Sequence, residues 1–175
     1  MYRDSAVLEI RRLTTDWKES LLVFFRALEE VSNSDFFQPH PFTDEGVEQI
    51  LRNTRRDLYY VLIEGTEVLG YGMLRGWDEG YETPSLGIAI HPRARGKGLG
   101  RVFMHFLGAA AICRGAQRVR LRVKPQNARA AKLYESLGYE FRSEEDGGYL
   151  VGVLEFRSNW PDISPRENIR KNLPE

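Results

Sequence analysis

One stretch, residues 85 to 107, "SLGIAIHPRARGKGLGRVFMHFL", constrains the fold of this chain more than any other. It opens with a short apolar run, "SLGIAI", which is fully hidden only as a strand inside a sheet. It closes with apolar residues at helical spacing, which predict a helix from about Gly100 to Arg114. Between the two stand Gly96, Gly98 and Gly100, interleaved with Arg93, Arg95, Lys97 and Arg101. Glycine loses the most conformational freedom on folding, so such a run marks a backbone that turns unusually or lets something approach closely. The cations suggest that the something is anionic. A strand, a glycine turn and a helix in this order make a phosphate cradle. The free N–H groups of the helix's first turn and the positive end of its dipole lie beside the glycines.

The rest of the chain supplies the partners such a strand needs. "VLEIRRL" reads as a first strand. Trp17, Leu21, Phe24, Phe25 and Leu28 recur at helical spacing after Asp16 and Glu19, a pair that resembles a helix-start capping box. "SNSDFFQPHPF" is a loop broken by Pro39 and Pro41, and Thr43 can cap a second helix that buries Val47, Ile50 and Leu51. "LYYVLIEGTEVLGYGMLRGW" reads as a hairpin around Glu64-Gly65-Thr66, and "DEGYETP" as a second turn. "RVRLRV" is a strand of strictly alternating charged and apolar residues. "NARAAKLYESLG" is a helix with Asn127 at its start and Gly138 at its end. "YEFRS", the turn "EEDGG" and "YLVGVLEF" complete an α/β layered domain with a mixed sheet. We expect one domain over residues 1–157 and a polar, proline-containing tail over 158–175.

Composition narrows the function classes. The chain carries 25 acidic and 25 basic residues in 175, so no global field favours nucleic acid, and any anion site must be local. Cys113 is the sole cysteine, which excludes an internal disulfide and a multi-cysteine zinc site; no histidine and carboxylate spacing points to a metal. The opening residues carry charges where a secretory leader is apolar, and the run "VFMHFLGAAAIC" is too short for a membrane span. A cytoplasmic protein with no membrane partner is expected. The glycine stretch is no Walker loop, because no Gly-Lys-Ser/Thr follows. It is no dinucleotide fingerprint either, because Arg101 stands where the third glycine belongs.

Two motifs in the right order give a more specific reading. Arg95-x-x-Gly98-x-Gly100, directly after "LGIAIHP", and "NARAAKLYESLGYEF" about thirty residues on, resemble the two signatures of the GNAT superfamily of acyl-coenzyme A N-acyltransferases. The resemblance spans roughly residues 62 to 156. It implies a mixed, mostly antiparallel sheet of six to seven strands flanked by about four helices. It also implies acetyl-coenzyme A as co-substrate, a primary amine as acceptor, direct attack in a ternary complex, and a possible homodimer. Arg95, Gly96, Lys97, Gly98, Leu99, Gly100 and Arg101 would hold the coenzyme pyrophosphate. Ile88, Ala89 and Ile90 would offer main-chain groups to the pantetheine where their strand splays from its neighbour, and Asn127 would contact the same arm. Tyr134 would act as general acid beside the sulfur.

The base is not given by the resemblance. Some members place a glutamate where this chain has Arg122, and a cation cannot take a proton. Glu82 is the nearest carboxylate in sequence to the expected thioester, and His40, among phenylalanines, is the other candidate; a water chain is the third. Phe37, His40 and Trp77 are the candidate acceptor-binding residues, their aromatic faces suiting a ring such as an amino sugar. A protein N-terminus is an equally open acceptor. Arg118, Arg120 and Arg122 line one face of a strand, and either attract coenzyme phosphates or an acidic acceptor, or pair with nearby glutamates. The alternative to an enzyme is a module of the same fold that binds acyl-coenzyme A without turnover.

Overall fold

The apolar run at 85–90 lies at the centre of the sheet. The computed structural model describes residues 7–31, 37–143 and 148–156. The strands are β1 (Leu8–Arg12), β2 (Leu58–Glu64), β3 (Glu67–Arg75), β4 (Ser85–Ile90), β5 (Arg118–Val123), β6 (Glu140–Ser143) and β7 (Leu150–Glu155). They form one 7-stranded sheet in the order β1-β2-β3-β4-β5-β7-β6. Every neighbouring pair is antiparallel except β4 and β5. The helices are α1 (Lys18–Glu29), α2 (Asp44–Asn53), α3 (Leu99–Cys113) and α4 (Ala128–Ser136). The expected tail from 158 and most of the acidic turn before β7 lie outside the described residues.

Two hydrophobic cores sandwich the sheet. On one face Phe103, Met104, Leu107 and Ala111 of α3 and Tyr134 of α4 pack against Leu62, Leu74, Leu86, Val119 and Leu121. On the other, Leu21, Phe24, Phe25 and Leu28 of α1 and Val47 of α2 pack against Tyr59, Val61, Tyr71, Met73 and Ala89. That period of two along each strand is why "SLGIAI" had to be apolar throughout: Leu86 faces one core and Ala89 the other.

Local chemistry sets most element ends. Thr43 Oγ1 accepts from the Gly46 N–H at 3.1 Å, and Asn127 Oδ1 from the Ala130 N–H at 3.2 Å, both as N-caps. Gly65 turns the β2–β3 hairpin at φ 61°. At the hairpin's open end two aspartates exchange roles. Asp57 Oδ1 accepts from the Gly76, Trp77 and Asp78 N–H groups at 3.0, 2.8 and 3.1 Å. Asp78 in turn accepts from Arg55, Arg56 and Asp57 at 3.1, 2.8 and 3.3 Å. The Asp16–Glu19 capping pair does not form. A 3-10 turn over Thr15–Trp17 precedes α1, and Asp16 accepts from the Thr14 hydroxyl instead. No helix among the described residues is long and apolar enough to cross a membrane.

The sheet has one discontinuity. β3 and β4 stay in register from Gly70↔Ile90 to Arg75↔Ser85. β4 and β5 meet only at Ser85↔Arg120, where the Arg120 N–H also donates to Pro84 O at 3.0 Å. β5 stays paired with β7 along its whole length on its other edge, while the two parallel strands part from there on. The edge of β4 from Ile88 to Ile90 therefore faces a gap.

Candidate active site

The glycine turn sits at the mouth of this gap. A short 3-10 turn, Pro92–Ala94, follows β4, with His91 Nδ1 accepting from the Arg93 N–H at 3.3 Å. Gly96 and Gly98 then take φ values of 84° and 80°, a left-handed region that side chains resist. Among the described residues, no acceptor receives the N–H groups of Gly96, Lys97, Gly98, Leu99 or Gly100, whereas those of Arg101 and Val102 return to Gly98 O at 3.0 and 3.2 Å. A Cβ on Gly98 would meet nothing within 4 Å, and one on Gly96 only the Arg129 guanidinium at 3.7 Å. These unbonded amides belong to a turn that borders the cavity at the N-terminus of α3, where the dipole adds about half a positive charge. A Cβ on Gly100 would touch Leu133 of α4 at 3.4 Å, an ordinary van der Waals contact.

A cavity of about 660 Å³ fills the gap. Its wall gathers Ile88, Ala89 and Ile90 of β4, Arg95, Gly96, Gly98, Leu99, Gly100 and Arg101 of the turn, and Asn127 and Tyr134 of α4. Of the residues expected at the coenzyme, Lys97 alone is not on that wall. Arg129 is there too, unannounced by any motif; only its position at the start of α4, opposite the glycines, could have suggested it. Among the described residues no carboxylate lines the cavity. Arg95 donates through Nε to Ile90 O at 3.1 Å, and burial, then the charge of Arg129, lower its pKa. Arg129 is close enough to act on Arg95 by charge, and neither has a carboxylate partner among the described residues, a setting that suits an anion. Arg101 is steadied by Ser136 Oγ at 2.8 Å.

Tyr134 is buried in the α3/α4 core and reaches the cavity. Burial alone pushes its pKa up to about 12, with no hydrogen bond contributing. Leu28 and Phe37 close the cavity from the α1/α2 face.

Three expected residues stand elsewhere. Glu82 is exposed in the turn before β4, at the end where β4 and β5 are still paired, and is absent from the cavity wall. The strand rise of about 3.3 Å per residue separates it from Ile88 by well over a hydrogen-bond length. Trp77 is buried in the α3/α4 core beneath the Arg114 guanidinium, 5.6 Å from its ring centroid. His40 sits beside the cavity wall residue Phe37 in sequence but points into the α1/α2 core. A carbonyl can only accept, so Nδ1–H donates to Pro41 O at 2.9 Å and Nε2 accepts from the Tyr71 hydroxyl at 2.9 Å. Phe25, Phe42 and Tyr71 surround the ring, and burial lowers its pKa.

The chain matches known proteins along most of its length. The family model described as "Acetyltransferase (GNAT) family" matches residues 24–139. A Sodalis glossinidius protein named as an acetyltransferase is 29% identical over 118 residues, covering 67% of this chain and 79% of that protein. Among solved structures, an N-acetyltransferase of Thermoplasma acidophilum in complex with coenzyme A superposes with a TM-score of 0.71 at 16% identity, covering 86% of this chain and 99% of that one. A GCN5-related N-acetyltransferase of Kribbella flavida gives 0.68 at 23% identity, covering 85% and 98%.

Proposed function

The chain belongs to the acetyltransferase (GNAT) family and is an acyltransferase; from that premise we propose that it moves an acetyl group from acetyl-coenzyme A to a primary amine, by direct attack in a ternary complex. The observation that carries this reading is the row of N–H groups from Gly96 to Gly100 without an acceptor among the described residues, in a turn that lines a cavity beside a splayed strand. A diphosphate satisfies those donors, with Arg95, Arg101 and Arg129 neutralising its charge. The edge of β4 offers main-chain groups to an extended pantetheine amide arm, and Asn127, although it caps α4, lines the same path.

For the transfer itself, the amine nitrogen bonds to the thioester carbon while the C–S bond breaks. A β4 main-chain N–H directed at the carbonyl oxygen stabilises the charge that develops there; donors of this kind supply about 3 kcal/mol. Tyr134, held near 12 by burial, keeps its proton at any working pH and donates its O–H to the departing sulfur. The same dry setting raises the proton affinity of the thiolate, which brings donor and acceptor closer together. Among the described residues no carboxylate or imidazole lines the cavity, and in this reading the proton of the amine leaves through water. Glu82 takes no part.

That missing base also favours a second reading, a domain that binds acyl-coenzyme A without turnover. Single-turnover thiol release with acetyl-coenzyme A and a panel of amines separates the two. Release that depends on an amine is expected; tight coenzyme binding with no release on any amine would leave the binding module.

A further inference from the structure

The α1/α2 face of the gap carries charges that the transfer chemistry leaves unused. Val119, Leu121 and Val123 of β5 are buried toward α3, so alternation turns Arg118, Arg120 and Arg122 to the opposite face. Register extends this face across the sheet. Arg75, Ser85 and Arg120 form one row on β3, β4 and β5. One step toward the gap, Arg122 is level with Val151 of β7 and Arg142 of β6, and continuing the parallel register sets it beside Gly87. The α1/α2 core draws on β2, β3 and β4 but on no residue of β5, β6 or β7, so neither helix packs a core over these arginines.

Their contacts are unequal. Arg118 pairs with Glu155 at 3.1 Å. The Arg122 guanidinium lies 4.4 Å from the centroid of the Tyr149 ring. Arg75 donates to Pro39 O at 2.9 Å, which pins the loop carrying Phe37. Arg120 is half-buried, and its Nε is buried with no hydrogen-bond acceptor among the described residues. A charged donor taken from water without an acceptor is costly, and the groups that match a guanidinium are carboxylate and phosphate. Phe37 connects this face to the cavity: it lines the cavity wall and stands 3.3 Å from where a Cβ of Gly87 would be.

We propose that the acceptor is a primary amine bearing an anionic group, carboxylate or phosphate, which Arg120 binds with Arg122 and Arg75 beside it. The amine then enters the gap from the α1/α2 face, opposite the diphosphate side. This rests on the transfer reading and narrows its substrate class.

The test uses the full chain and two matched pairs, glucosamine 6-phosphate against glucosamine and leucine against leucinamide. Calorimetric binding to the coenzyme A-saturated protein and acetyl-transfer rates are both measured. The anionic member of at least one pair should be favoured about tenfold or more. Arg120→Gln should cut that preference by about tenfold to a hundredfold, Arg120→Lys should restore part of it, and coenzyme affinity should stay in place. Arg122→Gln, at an exposed position, is the second variant if Arg120→Gln does not fold. Equal or tighter binding of the neutral members, or a preference that survives both glutamine variants, overturns the proposal. Which pair responds separates phosphate from carboxylate. Selective binding without transfer would sink the transfer reading and leave this site standing; transfer without anion preference would do the reverse.

Discussion

The two sides of the gap between β4 and β5 are built from different material. Toward α3 and α4 the groups on offer are main-chain N–H donors of a turn with two left-handed glycines and a helix N-terminus. Toward α1 and α2 they are side chains: Phe37, Arg75, Arg120 and Arg122. A backbone site survives most substitutions around it and fails only where its geometry fails. A side-chain site can be rewritten one residue at a time on an unchanged strand. One scaffold can therefore keep its donor while its acceptor changes.

The largest effect should come from breaking the backbone side. Gly98→Val puts a β-branched residue at φ 80° and fills empty space before the amides. Strain of about 1–2 kcal/mol is only part of the loss; coenzyme affinity by calorimetry should fall more than about a hundredfold, with circular dichroism unchanged. Next is Tyr134→Phe, which removes the O–H and keeps the packing. Turnover should drop about a hundredfold while the coenzyme Kd barely moves; equal losses in both would leave the ring a packing residue.

The pH profile gives a smaller, graded effect. With no titrating base among the described residues of the cavity wall and Tyr134 near 12, kcat/KM should climb with pH along the ionisation of the amine itself. An acceptor amine of lower pKa should move that limb down by the same interval, and a limb fixed near neutrality for every amine would reveal a protein base. The smallest effect concerns His40. Its folded pKa lies below the usual 6.5, so the unfolded chain binds more protons in that range. Stability should be full above about pH 6.5 and decline as pH falls through the depressed value. His40→Gln, which can keep one of the two hydrogen bonds, should flatten that decline in urea midpoints and leave coenzyme affinity alone.

The same contrast governs what could be read from the sequence. The cradle, the β4 strand and the Asn127 cap were legible because glycine, an apolar run and an N-cap each answer a local backbone requirement. The splay was not, because it lies in how β4 and β5 are set against each other and is marked by no residue of β4. Glu82 looked near the thioester along the chain, yet the closed end of the β4–β5 pair holds it apart. Trp77 reads as an acceptor-binding aromatic until Asp57 folds the turn that buries it. Arg129 carries no motif, since its place depends on how α4 is set against the glycine turn. Phe36, beside Phe37 in the aromatic loop, lies outside the described residues.

The most direct measurement is a nitrogen-15 NMR titration of the full chain with coenzyme A. The amides of Gly96, Lys97, Gly98, Leu99 and Gly100 should shift the most, and those of Arg120 and Arg122 little. Saturable binding that leaves the 96–100 amides unmoved would contradict a diphosphate held by this turn.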